Sequence, residues 1–158
     1  MQTKESLENW YKFPDPWNYQ NTPDDLKRKE IILKHIEPCD TILDIGAGEG
    51  WITKDLPANE IYAIELSDIA ASRFPKNVIR VSEPTGVYDY VLACGVLYPQ
   101  YNSDQILNWC KTYAKKILIC GIEDWLVPYY FGKPEKVVRF TYRTYIQRLE
   151  LYKNGTLS

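Results

Sequence analysis

An α/β fold, built on a doubly wound and mostly parallel sheet with helices on both faces, is predicted by three features of this 158-residue chain. Short continuous apolar runs alternate with helical patterns, which is how strands buried on both faces read. A glycine-rich turn follows the first apolar run directly. An acid ends the second run, and in such a sheet the carboxyl ends of neighbouring strands lie side by side.

The first twenty residues hold Trp10, Tyr11, Phe13, Pro14, Pro16, Trp17 and Tyr19. They read as too irregular for a helix and too apolar for a solvated tail, hence as an arm or lid over residues 1–21 that packs on the rest. Thr22, Pro23, Asp24 and Asp25 announce a helix, with an N-cap, a proline at the first position and two acids in the first turn. It is expected to run to Glu37, with Leu26, Ile32, Leu33 and Ile36 buried and Lys27, Arg28 and Lys29 wet.

Strands are predicted over 41–45, 60–64, 78–81, 90–94 and 116–120. Between them a helical pattern covers 51–56, Ser67 and Asp68 cap a short helix that Pro75 ends, and Ser103 caps a helix carrying Ile106, Leu107, Cys110, Tyr113 and Ala114. Residues 137–152 fit helical spacing and strand alternation alike, with no turn residue between the two halves. Their β-branched and aromatic content favours strands. No repeat or linker is visible, so a single domain is expected: arm 1–21, core 22–121, and residues 122–158 completing the sheet.

Composition narrows the function. With 19 Lys and Arg against 21 Asp and Glu, a formal net charge of −2, the chain has no basic excess for a phosphate backbone. No apolar run approaches the roughly 20 residues that a membrane helix needs. The N-terminus lacks the apolar core of a secretory signal, and a cytoplasmic protein is expected. Cys39, Cys94, Cys110 and Cys120 are widely spaced, and His35 is the one histidine, so no metal set is expected.

The segment Asp44-Ile45-Gly46-Ala47-Gly48-Glu49-Gly50 carries most of the functional signal. Alternate glycines after a strand let the chain fold sharply and let a ligand approach where a Cβ would collide. Glu65, ending the next strand, can accept hydrogen bonds from the vicinal hydroxyls of a ribose. The bland alternative is a tight turn with a surface glutamate. Context favours a nucleoside, and the tight G-x-G-x-G spacing with Asp44 and Glu49 inside it disfavours a pyrophosphate. It suits a ligand carrying an ammonium and a sulfonium.

These residues resemble the class I S-adenosylmethionine-dependent methyltransferases, a Rossmann-like family whose first motif is an acid followed by G-x-G-x-G and whose second strand ends in an acid. The likeness runs from about Asp15 to Gly121. It implies that Asp44, Gly46, Ala47, Gly48 and Gly50 line the methionine end of S-adenosylmethionine, that Glu65 with its neighbour Leu66 meets the ribose, and that Glu83 lies at the adenine. Cys94 and Gly95 would sit under the transferable methyl. Asp15-Pro16-Trp17-Asn18-Tyr19 and Val96-Leu97-Tyr98 further resemble the nodulation N-methyltransferases and related small-molecule enzymes, in which an acid often stands where this chain has Gly95. The implied activity is methyl transfer to N or O of a small molecule, leaving S-adenosylhomocysteine. A cofactor-binding or partner-dependent subunit without its own activity is the alternative, and a dinucleotide enzyme is a third reading.

Trp17 and Tyr19 either close over the cofactor, where a ring face would attract the sulfonium, or pack the arm on the sheet. Tyr98, Tyr101 and Glu123 are the candidate catalytic residues, each with a plain packing or solvated-turn alternative. His35 reads as an exposed helix-end residue. Lys133, Lys136, Arg139, Arg143, Arg148 and Lys153 give the C-terminal segment a local positive excess, for which a solvated strand face is the default. The fourth strand lacks the aromatic Pro-Pro or Pro-Cys signature of DNA methyltransferases, and nucleic acid is not the expected partner.

Overall fold

The computed structural model describes residues 3–155. Seven strands form one sheet in the order β3-β2-β1-β4-β5-β7-β6. β1 (Cys39–Ile45), β2 (Ala58–Ile64), β3 (Val78–Arg80), β4 (Tyr88–Cys94) and β5 (Ala114–Ile122) are parallel, and β7 (Tyr145–Lys153) runs against both β5 and β6 (Lys136–Tyr142). The chain winds outward from β1 to β3 and returns to β4 on the other side of β1. That reversal opens a crevice at the carboxyl ends of β1 and β4, where sheets of this kind take their ligands.

The strands alternate between two apolar layers because neither face is left to water. Leu43, Val91, Ala93, Ile117 and Ile119 pack on the face covered by α4 (Ser103–Tyr113). Ile42, Leu92, Leu118 and Leu149 pack on the opposite face with Ile32 and Ile36, which come from α2 (Pro23–Lys34) and the residues just after it. Burying one such aliphatic side chain contributes roughly 1.5–3 kcal/mol.

Several local expectations change. The N-terminal segment is not irregular: α1 spans Lys4–Trp10, started by Thr3, whose hydroxyl accepts the Ser6 N–H. Its Leu7 and the following Tyr11 lie one turn apart, so both reach Ala70 in α3 (Asp68–Ser72). α2 ends at Lys34, with half-buried His35 as its C-cap and the His35 ring nitrogen 2.7 Å from the Ile31 carbonyl. Asn102, one residue before the expected Ser103, caps α4 through the Gln105 N–H. Residues 51–56 hold only a 3-10 turn, Thr53–Asp55.

α2 is rotated from its expected setting. Asp25, Arg28 and Ile32 face inward, Arg28 with 6% of its surface exposed, while Leu26 is 49% exposed. The first turn of α2 stands over the sheet's carboxyl edge, where its neighbours are polar, and only its later residues meet the apolar layer. Residues 137–152 form the β6–β7 hairpin, turning through Arg143 at φ 53, a conformation that Arg adopts here while bound to α2. Of the six basic residues expected on a solvated face, the three arginines form ion pairs, Arg139 with Glu123, Arg143 with Asp25, and buried Arg148 near Glu123 and Glu150, while Lys133, Lys136 and Lys153 are exposed.

Candidate functional site

A cleft of about 730 Å³ opens over the carboxyl ends of β1, β2 and β4. Its floor is the glycine turn. The Gly46 and Ala47 N–H groups donate to the Ile64 carbonyl at 2.8 and 3.2 Å, which stitches the turn to the end of β2. Gly46 has φ 75, and a Cβ there would lie 2.2 Å from Val96 Cγ1. Gly48, at φ 61, passes beneath the Tyr11 hydroxyl, 3.0 Å from where its Cβ would be. Gly46 has no room for a side chain, and at Gly48 a Cβ would be tight against Tyr11 and held at a left-handed φ that L-residues rarely adopt.

Glu65 is held at the edge of this floor. Its Oε1 accepts the Gly48 N–H and its Oε2 the Ser67 N–H, both at 2.8 Å. Burial raises its pKa, and these two N–H donors pull it partly back. A carboxylate has about four acceptor positions, so two remain for hydroxyl groups in the cleft. Asp44 sits deeper, its Oδ2 accepting the Thr53 hydroxyl at 2.7 Å. Burial pushes it up to about 6, against the lowering pull of Thr53 and Arg28.

Glu49 does not leave its charge in the cleft: it pairs with Arg73 at 2.8 Å and accepts the Asp15 N–H at 2.8 Å. That second bond clasps the N-terminal arm to the turn. From there Trp10, Trp17, Tyr19 and Trp51 run as a ladder of rings with neighbouring centroids 5.0, 6.3 and 5.1 Å apart. Lys29 Nζ lies 4.7 Å over the Trp51 ring.

Of the residues singled out from sequence, Trp17, Tyr19, Asp44, Gly46, Ala47, Gly48, Glu65, Leu66, Glu83, Cys94 and Tyr101 all line the cleft. Gly50, Tyr98 and Glu123 are not among the lining residues. Gly50 closes the turn against Phe74 and Pro75. Tyr98 is buried, and its hydroxyl accepts the Ile122 N–H at 3.0 Å, so it is a core side chain. Glu123 is held by Arg139 through two bonds of 2.7 Å, which keep its carboxyl below the ordinary range.

Arg28 is the residue that sequence reasoning missed. Its guanidinium lines the cleft, flanked by Cys94, Cys120, Tyr19 and Tyr142, with Nη2 3.4 Å from the Cβ position of Gly95. Its Nε has no hydrogen-bond partner, and among the described residues no carboxylate lies within ion-pair distance of it. A buried cation in that state carries a large desolvation cost, which an anion in the cleft would offset. Nothing in the run Lys27-Arg28-Lys29 marks the middle residue as buried. Tyr11, the roof over Gly48, has no sequence signal beyond the aromatic character of the arm.

Among the described residues no group of three His, Cys, Asp or Glu is placed to hold a metal ion. Among the described residues no helix is long and apolar enough to cross a membrane.

Neither a protein-family model nor a curated protein sequence matches the chain. Solved structures do. The N-methyltransferase NodS of Bradyrhizobium japonicum WM9, in complex with S-adenosyl-L-homocysteine, superposes with a TM-score of 0.85 at 14% identity over 98% of this chain and 100% of that one. Magnesium protoporphyrin IX methyltransferase of Synechocystis PCC 6803, with bound S-adenosylmethionine, gives 0.67 at 10% identity over 94% and 95%. A proposed RNA methyltransferase of Pyrococcus horikoshii gives 0.64 at 15% identity over 98% and 99%. The chain therefore has the Rossmann-like fold of the class I S-adenosylmethionine-dependent methyltransferases. At these identities the likeness establishes architecture, and the function has to be argued from the site.

Proposed function

We propose that the chain is an S-adenosylmethionine-dependent methyltransferase that transfers a methyl group to N or O of a small molecule. The observation that carries this reading is the pairing of opposite charges across a floor without side chains. Glu65 directly follows β2, and Arg28 lies beside Gly95, which directly follows β4, two strand spacings or roughly 10 Å away. Glu65 suits the ribose hydroxyls, Asp44 the amino group of the methionine tail, and Arg28 its carboxylate, with the main chain of Gly46 and Gly48 as the floor between them. Arg28 supports the fit most strongly, because it is a buried cation bordering the cleft with its Nε unpaired and, among the described residues, no carboxylate at ion-pair distance.

Bound there, S-adenosylmethionine supplies an electrophilic methyl on a sulfonium. The protein contributes position, and holding two reactants in line can account for much of a rate enhancement. Trp17 and Tyr19 limit the access of water. Burial pushes the Tyr19 hydroxyl up to about 12 and the Cys94 thiol well above its usual value, so neither side chain is a base at neutral pH. The acceptor must arrive with a free lone pair, as a neutral amine or an ionised oxygen. Ion pairing of Arg139, Arg143 and Arg148 reduces the local positive excess available to a nucleic-acid backbone, which supports a small acceptor.

Calorimetric titration with S-adenosylhomocysteine, followed by assay of methyl transfer to a panel of amines and hydroxyl compounds, tests this. Glu65→Ala is expected to weaken binding at least tenfold, since hydrogen bonds to a charged group contribute about 1.5–3 kcal/mol each. An unaltered dissociation constant would sink the reading. Binding without turnover across the whole panel would favour a cofactor-binding subunit instead.

A further inference from the structure

From the contacts between the β6–β7 hairpin and α2 we infer that Asp25 and Tyr142 are positioning residues that hold Arg28 in the cleft. The inference rests on the proposed role of Arg28 toward a carboxylate and assigns the hairpin a part in it.

Asp25 is fully buried, 0% exposed, and stands three residues before Arg28, hence on the same face of α2. Both of its oxygens are taken by the hairpin: Oδ1 accepts the Tyr142 hydroxyl at 2.5 Å and Oδ2 accepts Arg143 Nη2 at 2.8 Å. Two more bonds close the same joint, the Arg143 N–H to Asp24 Oδ2 at 2.6 Å and Lys27 Nζ to the Thr141 hydroxyl at 3.2 Å. Arg143 itself is kept at φ 53, and a left-handed non-glycine residue persists only where its surroundings impose it. The hairpin is thus clamped to the first five residues of α2 by four hydrogen bonds within a few residues of Arg28.

The clamp also reaches Arg28 itself, through Tyr142. Asp25 shares its charge with Arg143 on the solvent side, and Tyr142, its hydroxyl bound to Asp25, borders Arg28 from the other. Arg28 therefore has a neighbour that restrains it without forming an ion pair with it, and its side chain still borders the cleft. With Asp25 unable to accept these bonds, the first turn of α2 would lose its anchor and Arg28 its setting. Neither Asp25 nor Tyr142 is among the residues lining the cleft, so any effect of theirs on a ligand is transmitted through Arg28.

The test compares two ligands. S-adenosylhomocysteine carries the amino-acid tail, and 5′-methylthioadenosine keeps the adenosine and the sulfur without it. Both are titrated against wild type, Tyr142→Phe, Asp25→Asn, Arg28→Met and the Tyr142→Phe/Arg28→Met double variant. Tyr142→Phe and Asp25→Asn are expected to weaken S-adenosylhomocysteine five- to tenfold and to leave 5′-methylthioadenosine within twofold. In the double variant the Tyr142 change is expected to add nothing to the Arg28 loss. Equal weakening of both ligands would show a merely structural joint, and unchanged affinity for both would remove the role; either result overturns the inference. Should Asp25→Asn fail to fold, Tyr142→Phe deletes one hydroxyl and still decides. Wild-type protein that binds neither ligand would refute the cofactor reading itself, whereas wild-type binding with an unaffected Tyr142→Phe refutes only the clamp.

Discussion

Replacing Gly46 with alanine puts a methyl group where the glycine turn has no space, and the cost follows from two terms. At φ 75 an L-residue carries a penalty of about 1–2 kcal/mol. The new Cβ would stand 2.2 Å from Val96 Cγ1, well inside the 3.5–4.0 Å at which carbon atoms rest. Val96 is buried at the end of β4 and yields only by shifting the loop, an overpacking cost of about 1–3 kcal/mol. Together these predict a loss of about 2–5 kcal/mol, a large part of a typical domain's total of about 5–15 kcal/mol. Urea unfolding measures it: with a slope near 2 kcal/mol/M, the midpoint falls by roughly 1–2.5 M. Gly86→Ala is the control, because a Cβ there meets nothing within 4 Å, and its midpoint is expected to stay within about 0.3 M. Val96→Ala combined with Gly46→Ala should recover the steric share, visible as a coupling energy of about 1–3 kcal/mol. A Gly46→Ala protein as stable as the Gly86→Ala control, or a double variant with no coupling, would refute the reasoning.

Other outcomes follow from the same geometry. Asp44, raised to about 6, holds its proton more tightly in the folded than in the unfolded chain. Stability of the ligand-free protein should therefore fall, by roughly 3 kcal/mol in all, as pH rises from the ordinary aspartate range through about 6. An ammonium beside Asp44 favours its ionised form, so affinity for S-adenosylhomocysteine should rise with pH over that window, and Asp44→Asn should flatten both profiles. Tyr98→Phe strands the buried Ile122 N–H and should cost about 1–3 kcal/mol in urea unfolding while leaving that affinity within twofold. Glu123→Ala, which is remote from the cleft lining, should also leave it within twofold, and any larger loss would restore Glu123 to the site. The fluorescence of NADH should be unchanged by the protein, since the turn lacks the spacing for a pyrophosphate.

The central strands and the glycine turn were legible because their physics is local. A strand buried on both faces has to read as a continuous apolar run, and a chain that reverses against Val96 and beneath Tyr11 has to be glycine. Glu65 was legible through topology, since the register of β1 and β2 brings the two strand ends together. Arg28 was hidden because periodicity assigns charged residues to water, whereas the rotation of α2 is decided by Asp25 meeting a hairpin more than a hundred residues away in sequence. The β6–β7 turn was hidden for the same reason: Arg143 is no turn former, and its conformation is imposed by Asp24 and Asp25. α1 was obscured by its aromatic content, its start depending on the single hydroxyl of Thr3. Tyr98 and Glu123 sit near the ligand edge in sequence order, but the Ile122 N–H and Arg139 claim them.

A crystal structure of the protein grown with S-adenosylhomocysteine puts the whole reading at risk in one measurement. The account predicts electron density along the floor of Gly46 and Gly48, with the ribose hydroxyls on Glu65 and the amino-acid carboxylate on Arg28. Density for the nucleoside elsewhere, or a cleft at saturating ligand in which Glu65 and Arg28 touch only protein and water, would contradict it.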